Sequence, residues 1–234
     1  MKVIVNVQPQ TQSSRGLVHY IAHSKFDEAR EPSGARELFN DRTDSISVQQ
    51  ANFMLKPGAS ANRPQNSDLH HLVISFRPED YRKLGTNEKE RVSSLKDIGR
   101  EAMRGLEKLV GSESLDWIAA VHRNTDNPHV HIAISKRFIS PQLDSHQRLT
   151  RIPKEALPHY DLIDGKKTFV PGGMIENATR KMDEIIARNP VKEQARHEHD
   201  YATEKIGQKP PAHQPIEREI QKQKQHIHET IHIR

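Results

Sequence analysis

Apolar residues recur along this chain at two spacings, and each predicts a different element. Alternation comes first. In KVIVNV (2–7), Val3, Val5 and Val7 alternate with other residues, the period-two signature of a strand. HHLVISF (70–76) repeats it, with Leu72, Ile74 and Phe76 facing one way, His71, Val73 and Ser75 the other, and Pro78 ending the run. LDWIAAVHR and HVHIAISKR predict two more strands joined by NTDNP, a loop rich in turn formers.

The second spacing is helical. Val92, Leu95, Ile98, Ala102, Met103, Leu106 and Leu109 predict a long amphipathic helix over about 87–110. GLVHYIAHS places Leu17, Val18 and Ile21 on one face of a short helix that the serines of TQSSRG could cap. SVQQANFML predicts a helix within the polar connection 24–68, which Pro32, Pro57 and Pro64 interrupt. Beyond 140 the pattern weakens. YDLIDGKKTFV predicts a hairpin turning at Asp164-Gly165, and MIENATRKMDEIIARN a helix.

From 191 onward the chain is charged and rich in His and Gln, with a thin apolar stripe of Ile216, Ile220, Ile227 and Ile231. The expected organisation is a domain over 1–190 and a polar helical or partly disordered extension over 191–234. The expected fold class is α/β in the α+β sense: a central, mainly antiparallel sheet with flanking helices.

Composition narrows the setting. The 234 residues contain no cysteine, which excludes disulfides and thiolate metal sites and fits a reducing compartment. No apolar run approaches the roughly 20 residues that cross a bilayer, and MKVIVNVQPQ is too short a stretch for a secretion signal. A cytoplasmic protein without membrane insertion is expected. The formal charge of +5 favours a polyanionic partner only modestly.

The candidate chemistry lies in VHRNTDNPHVHIAIS (121–135). His129 and His131, two apart on a strand, project from one face. If the flanking strands form a hairpin, His122 lies roughly opposite His129, with Cβ atoms about 4.5–5.5 Å apart. Three neutral imidazoles could then converge on one ion and leave coordination positions open, as a catalytic site requires. Such ligands suit Mn, Co, Ni or Zn better than Mg. The competing reading is a solvated hairpin, since 15 histidines make chance clusters common; the third histidine across a hairpin-sized gap weighs against it. The close histidines His19 and His23, RHEHD (196–200) and HIHETIHI (226–233) lack such a strand context and read as solvated surface.

HRNTDNPHVHIAI resembles the signature of the relaxases, the mobilization nucleases of conjugative and mobilizable plasmids, within the His-hydrophobe-His endonucleases. LVHYIAHS and HHLVISF resemble that family's first two motifs, in the family's order, so the resemblance covers about residues 1–140. It implies Tyr20 as the nucleophile, Ser75 as a residue near the cleavage site, and His122, His129 and His131 as ligands of a divalent ion, Mn or Mg. Many relatives carry aspartate two residues after the first histidine. This chain has Asn124 there, and Asp126 is the carboxylate that could compensate.

The implied activity is site- and strand-specific nicking of a plasmid transfer origin through a 5′-phosphotyrosine intermediate. The implied fold places the histidine hairpin centrally with the Tyr20 helix beside it. Implied partners are single-stranded or hairpin DNA at the origin of transfer, with accessory relaxosome and coupling proteins. Arg15, Arg77, Arg123, Lys136 and Arg137 border the motifs and could contact phosphates, while Phe26, Phe53 and Trp117 are candidate stacking platforms. Alternatives are a rolling-circle replication initiator or transposase of the same superfamily, a metal-dependent hydrolase, and a non-enzymatic DNA-binding module with a structural metal.

Overall fold

The computed structural model describes residues 3–8, 14–24, 35–55, 69–139 and 149–189. All of them lie within Met1–Val191, one of two compact units. The other, Lys192–Arg234, lies outside the described residues, and so do the expected extension, its histidine clusters and Phe26.

Four of the alternating segments pair into one sheet. They are β1 (Ile4–Gln8), β2 (Leu69–Ser75), β3 (Trp117–His122) and β4 (His129–Ser135), in the order β1-β2-β4-β3, with every pairing antiparallel. The histidine hairpin is therefore not wholly central. β4 is interior, but β3 forms the edge of the four, because β2 occupies the other side of β4. Phe39 bridges the outer side of β3 at Ala119, with amide–carbonyl hydrogen bonds of 2.8 Å in both directions.

The two faces of this sheet carry separate cores. On one, Val5, Leu72, Ile74, Trp117, Ala119, Val130, Ile132 and Ile134 meet Leu95, Ile98, Ala102, Met103 and Leu106 of α4 (Glu88–Val110), with Met174, Ala178 and Met182 of α5 (Gly172–Arg188) in the same cluster. Each Val, Leu, Ile or Met side chain among them contributes about 1.5–3 kcal/mol on burial. Trp117, 1% exposed, belongs to this core with its ring edge-on to Phe39, so it is no stacking platform for DNA. Its place on the inward-facing row of β3 is the reason.

On the other face, α1 (Ser14–His23) and α2 (Val48–Met54) cover only part of the sheet. Leu17, Val18, Ile21 and Ala22 of α1 and Ala51 of α2 pack over Leu69, Ile118, Ala120 and Ala133. Strand alternation puts His71, Val73, Ser75, His122, His129 and His131 on this same face.

Local signals explain the boundaries. Asn87 caps α4 by accepting from the Glu90 amide, and Gly111 closes it with φ 67°. Ser47 and Gln50 form a capping box on α2. α1 begins at Ser14, and the residues before it lie outside those described, so the expected serine cap does too. Beyond β4, β5 (Arg137–Ile139) pairs with β6 (Leu149–Arg151), and the expected hairpin forms from β7 (His159–Ile163) and β8 (Lys166–Val170). It turns on Asp164 (φ 53°) and Gly165 (φ 74°), the paired positive angles of a two-residue turn. A four-residue helix, α3 (Pro78–Tyr81), follows β2.

Candidate metal centre

The register of β3, β4 and β2 assembles the site. His122 is paired with His129, and His129 with Ser75 on its other side, so the three residues form one row across the sheet. The adjacent row holds Ala120, His131 and Val73. Small Ala120 leaves room for the imidazoles to gather: the His122 and His131 ring centroids are 4.2 Å apart, those of His129 and His131 4.8 Å, and those of His122 and His129 5.3 Å. One ring nitrogen from each histidine lies within 4.8 Å of the other two, the one such metal-competent group among the described residues.

Hydrogen bonds select which nitrogen each ring offers. A carbonyl can only accept, so His122 carries its proton on Nε2, which donates to the Ile21 carbonyl at 2.8 Å and leaves Nδ1 with a lone pair. His129 carries its proton on Nδ1, donating to the Asn127 carbonyl at 2.9 Å, and offers Nε2. In His131, Nδ1 is engaged at 2.7 Å by Nε2 of His71, so the nitrogen available to an ion is Nε2. That choice makes His131 the donor and His71 the acceptor. Each candidate ligand is thus oriented through its second nitrogen, as metal-binding histidines usually are.

Burial keeps His122, His131 and His71 neutral. His122 is fully buried and His131 and His71 nearly so. Desolvation pushes His122 down to about 3 and His71 to about 4, and His131 lower still, with the Arg36 guanidinium and the neighbouring imidazoles adding to the effect at His122 and His131. Neutral imidazoles with fixed tautomers are the form that ligates a cation, so the residues present fit a divalent metal. The spread of the nitrogens is slightly wide for one ion, since two ligands at about 2.1 Å each lie at most about 4.2 Å apart. Ion binding has to draw the rings together.

Tyr20 stands beside this cluster. It lies on α1 immediately before Ile21, whose carbonyl holds His122, and its ring is edge-on to His131 at 5.7 Å and to His71 at 6.0 Å. It is 39% exposed, so solvent and a substrate can reach it. The structure brings Tyr20 to His131 and Ser75 into the row of His129, beside the three-histidine group.

The remaining candidates are dispersed around this centre. Asp126 is exposed in the β3–β4 loop, two residues past half-buried Asn124. Arg77 lies just beyond the Ser75 end of β2, exposed and 3.8 Å from Glu79. Arg123 follows His122 directly, but its guanidinium meets Glu88 at 2.5 Å, and Tyr81 donates to the same carboxylate. Arg15 is exposed on α1. Arg137 and Lys136 stand past Ser135, the opposite end of β4 from His129, about 20 Å away at the usual rise per residue. Phe53 is exposed on α2, beside a shallow cavity with Ile46 and Met54. His19 and His23 face each other at 4.5 Å on the exposed side of α1.

Two residues at the site escaped the sequence reading. His71 was placed only on the correct face; its contact with His131 depends on the β2–β4 register. Arg36 donates to the carbonyl and hydroxyl of Ser24 at 2.7 and 3.3 Å, and that hydroxyl is 3.4 Å from Nδ1 of His122. No local pattern marks Arg36, since it lies within the long polar connection 24–68.

A family model described as MobL relaxases matches residues 8–229, nearly the whole chain. Among curated proteins, none matches significantly.

Proposed function

Since this chain belongs to the MobL relaxases, we propose that it nicks one DNA strand at a transfer origin by transesterification, with Tyr20 as the nucleophile and His122, His129 and His131 as the ligands of a divalent ion, Mn or Mg. The observation that carries this reading is the exposed Tyr20 ring edge-on to His131 at 5.7 Å, beside three imidazoles gathered within reach of one ion.

In the proposed step the Tyr20 oxygen forms a bond to phosphorus and the bond to the 3′-oxygen breaks. The phenolic proton passes to solvent, and the departing oxygen becomes a free 3′-OH. The product is a 5′-phosphotyrosine ester, whose energy allows a 3′-OH to reverse the reaction and reseal the strand. A bound cation would supply Lewis acidity toward the scissile phosphate and offset its growing negative charge.

The chain's own groups do the rest. Ile21, Asn127 and His71 hold the three rings by their second nitrogens, so the site is organised before substrate arrives. Ser75, in the row of His129, is positioned to donate a hydroxyl to a phosphate oxygen. Arg36 adds a cationic group to the same pocket. Asp126, exposed in the neighbouring loop, is the candidate for a part in proton transfer where relatives use an aspartate at the position of Asn124. Arg15, Arg77 and Arg123 surround the site as phosphate contacts, and Arg137 would act only on DNA reaching the far end of β4. Single-stranded or hairpin DNA is the substrate, presented with accessory relaxosome and coupling proteins in the cytoplasm.

Labelled single-stranded oligonucleotides tiled across a candidate transfer origin, incubated with Mn²⁺ or Mg²⁺, test this. The expected result is a protein–DNA adduct that survives denaturation and is lost in Tyr20→Phe and His129→Ala. Release of free fragments alone, undiminished in Tyr20→Phe, would indicate hydrolysis and overturn the reading.

A further inference from the structure

A cavity of about 350 Å³ opens at the outer edge of β1, away from the metal centre. Its lining includes Asn6, His70, Lys154, His159, Tyr160 and Phe169. Tyr160 and Phe169 are cross-strand partners on the β7–β8 ribbon, with ring centroids 5.3 Å apart, and both rings are substantially exposed. Exposed aromatic pairs normally seek cover. Here the ammonium of Lys167 sits 4.9 Å from the centre of the Tyr160 ring, bringing a cation to the same ribbon.

The polar groups are of the kind that read a base edge. His159 donates from Nδ1 to the Leu157 carbonyl at 2.8 Å, leaving Nε2 as an acceptor. Asn6 offers an exposed amide with both donor and acceptor. His70 is held neutral, pushed down to about 4 by burial and then by Lys136.

The register connects this cavity to the reacting centre. Asn6 pairs with Val73, and Val73 with His131, so the three form one row on the same face of the sheet. Two strand spacings put the Asn6 and His131 backbones about 10 Å apart. Ile4 and Asn6 along that face are exposed. Val5, Val7 and His70, on the opposite face by alternation, also line the cavity, so a strand of DNA lying across β4, β2 and β1 would reach it by passing over the β1 edge at Asn6.

We propose that this cavity holds one nucleotide of the substrate strand, its base against the Tyr160 and Phe169 rings, its edge met by Asn6 and His159, and its phosphates met by Lys154 and Lys167. The inference rests on the nicking reading above and adds a base-binding subsite to it. An aromatic pair beside lysines and side-chain amide and imidazole groups is the combination single-stranded DNA sites use; a bound protein strand would leave the ring faces and the lysines without a role.

The test uses the full chain and origin oligonucleotides carrying one abasic position moved stepwise away from the nick. Wild-type affinity, read by fluorescence anisotropy, should fall about tenfold at one position. The double variant Tyr160→Ala, Phe169→Ala should bind the intact oligonucleotide about tenfold more weakly and be indifferent to that abasic position, while a saturating oligonucleotide still gives the covalent adduct. An adduct with an unchanged abasic profile in the variant would overturn the subsite and leave the nicking reading standing. Absence of any adduct in wild type would overturn the nicking reading instead. A change of oligomeric state in the variant, with DNA affinity unaltered, would make the ribbon a protein interface and sink the proposal. Unfolding midpoints of the two proteins control for misfolding, and Lys167→Gln, which keeps both rings, should weaken binding and flatten its salt dependence.

Discussion

Nε2 of His71 lies 2.7 Å from Nδ1 of His131, and this bond fixes which nitrogen of His131 faces the other two histidines. His71→Ala should therefore weaken Mn²⁺ or Zn²⁺ binding about 10- to 100-fold by calorimetry. His71→Gln, whose carbonyl can also accept the His131 proton, should recover part of that loss. Equal affinity in wild type and His71→Ala would deny His71 any orienting role.

Tyr20 is exposed and caps no core, so Tyr20→Phe should remove the covalent adduct while leaving stability within about 0.5 kcal/mol. Metal affinity should stay at the wild-type value. A loss of metal binding in this variant would show that the ring acts by packing on His131 and not through its hydroxyl.

Metal-free protein should be acid-sensitive well above the carboxylate range. Burial pushes His70 and His71 down to about 4 and His122 to about 3, against 6.5 in an unfolded chain. Between these values the unfolded state holds more protons than the native one, so stability falls as pH falls from 6.5 toward 4. Each such group adds up to about 1.4 kcal/mol per pH unit. Urea unfolding in chelator across that window should show the slope, and a flat profile would mean that these imidazoles are charged in the native state.

Gly105 marks a close approach of α4 and α5. A Cβ there would lie 2.5 Å from the Asn177 amide nitrogen and 2.7 Å from the Gly173 carbonyl oxygen. The side chain can move, but the backbone oxygen cannot without shifting α5, so Gly105→Ala should cost about 1–3 kcal/mol. Denaturant midpoints at constant m-value would measure it, and an unchanged midpoint would mean that the two helices can separate at little cost.

The chain's periodicities alone determined the four sheet strands, the long helix, the Asp164-Gly165 turn and the facing of His129, His131 and His71, because strand alternation and turn chemistry are local properties. The motifs likewise located Tyr20 and the three imidazoles. Only the tertiary structure decided that β2 pairs with β4, which makes β3 an edge, brings His71 to His131 and places Asn6 in the row of His131. It also buried Trp117 and gathered Tyr160, Phe169 and Lys154 at the β1 edge. Those outcomes join segments tens of residues apart, and pairing across such distances depends on which apolar faces cover one another, which no short window of sequence contains.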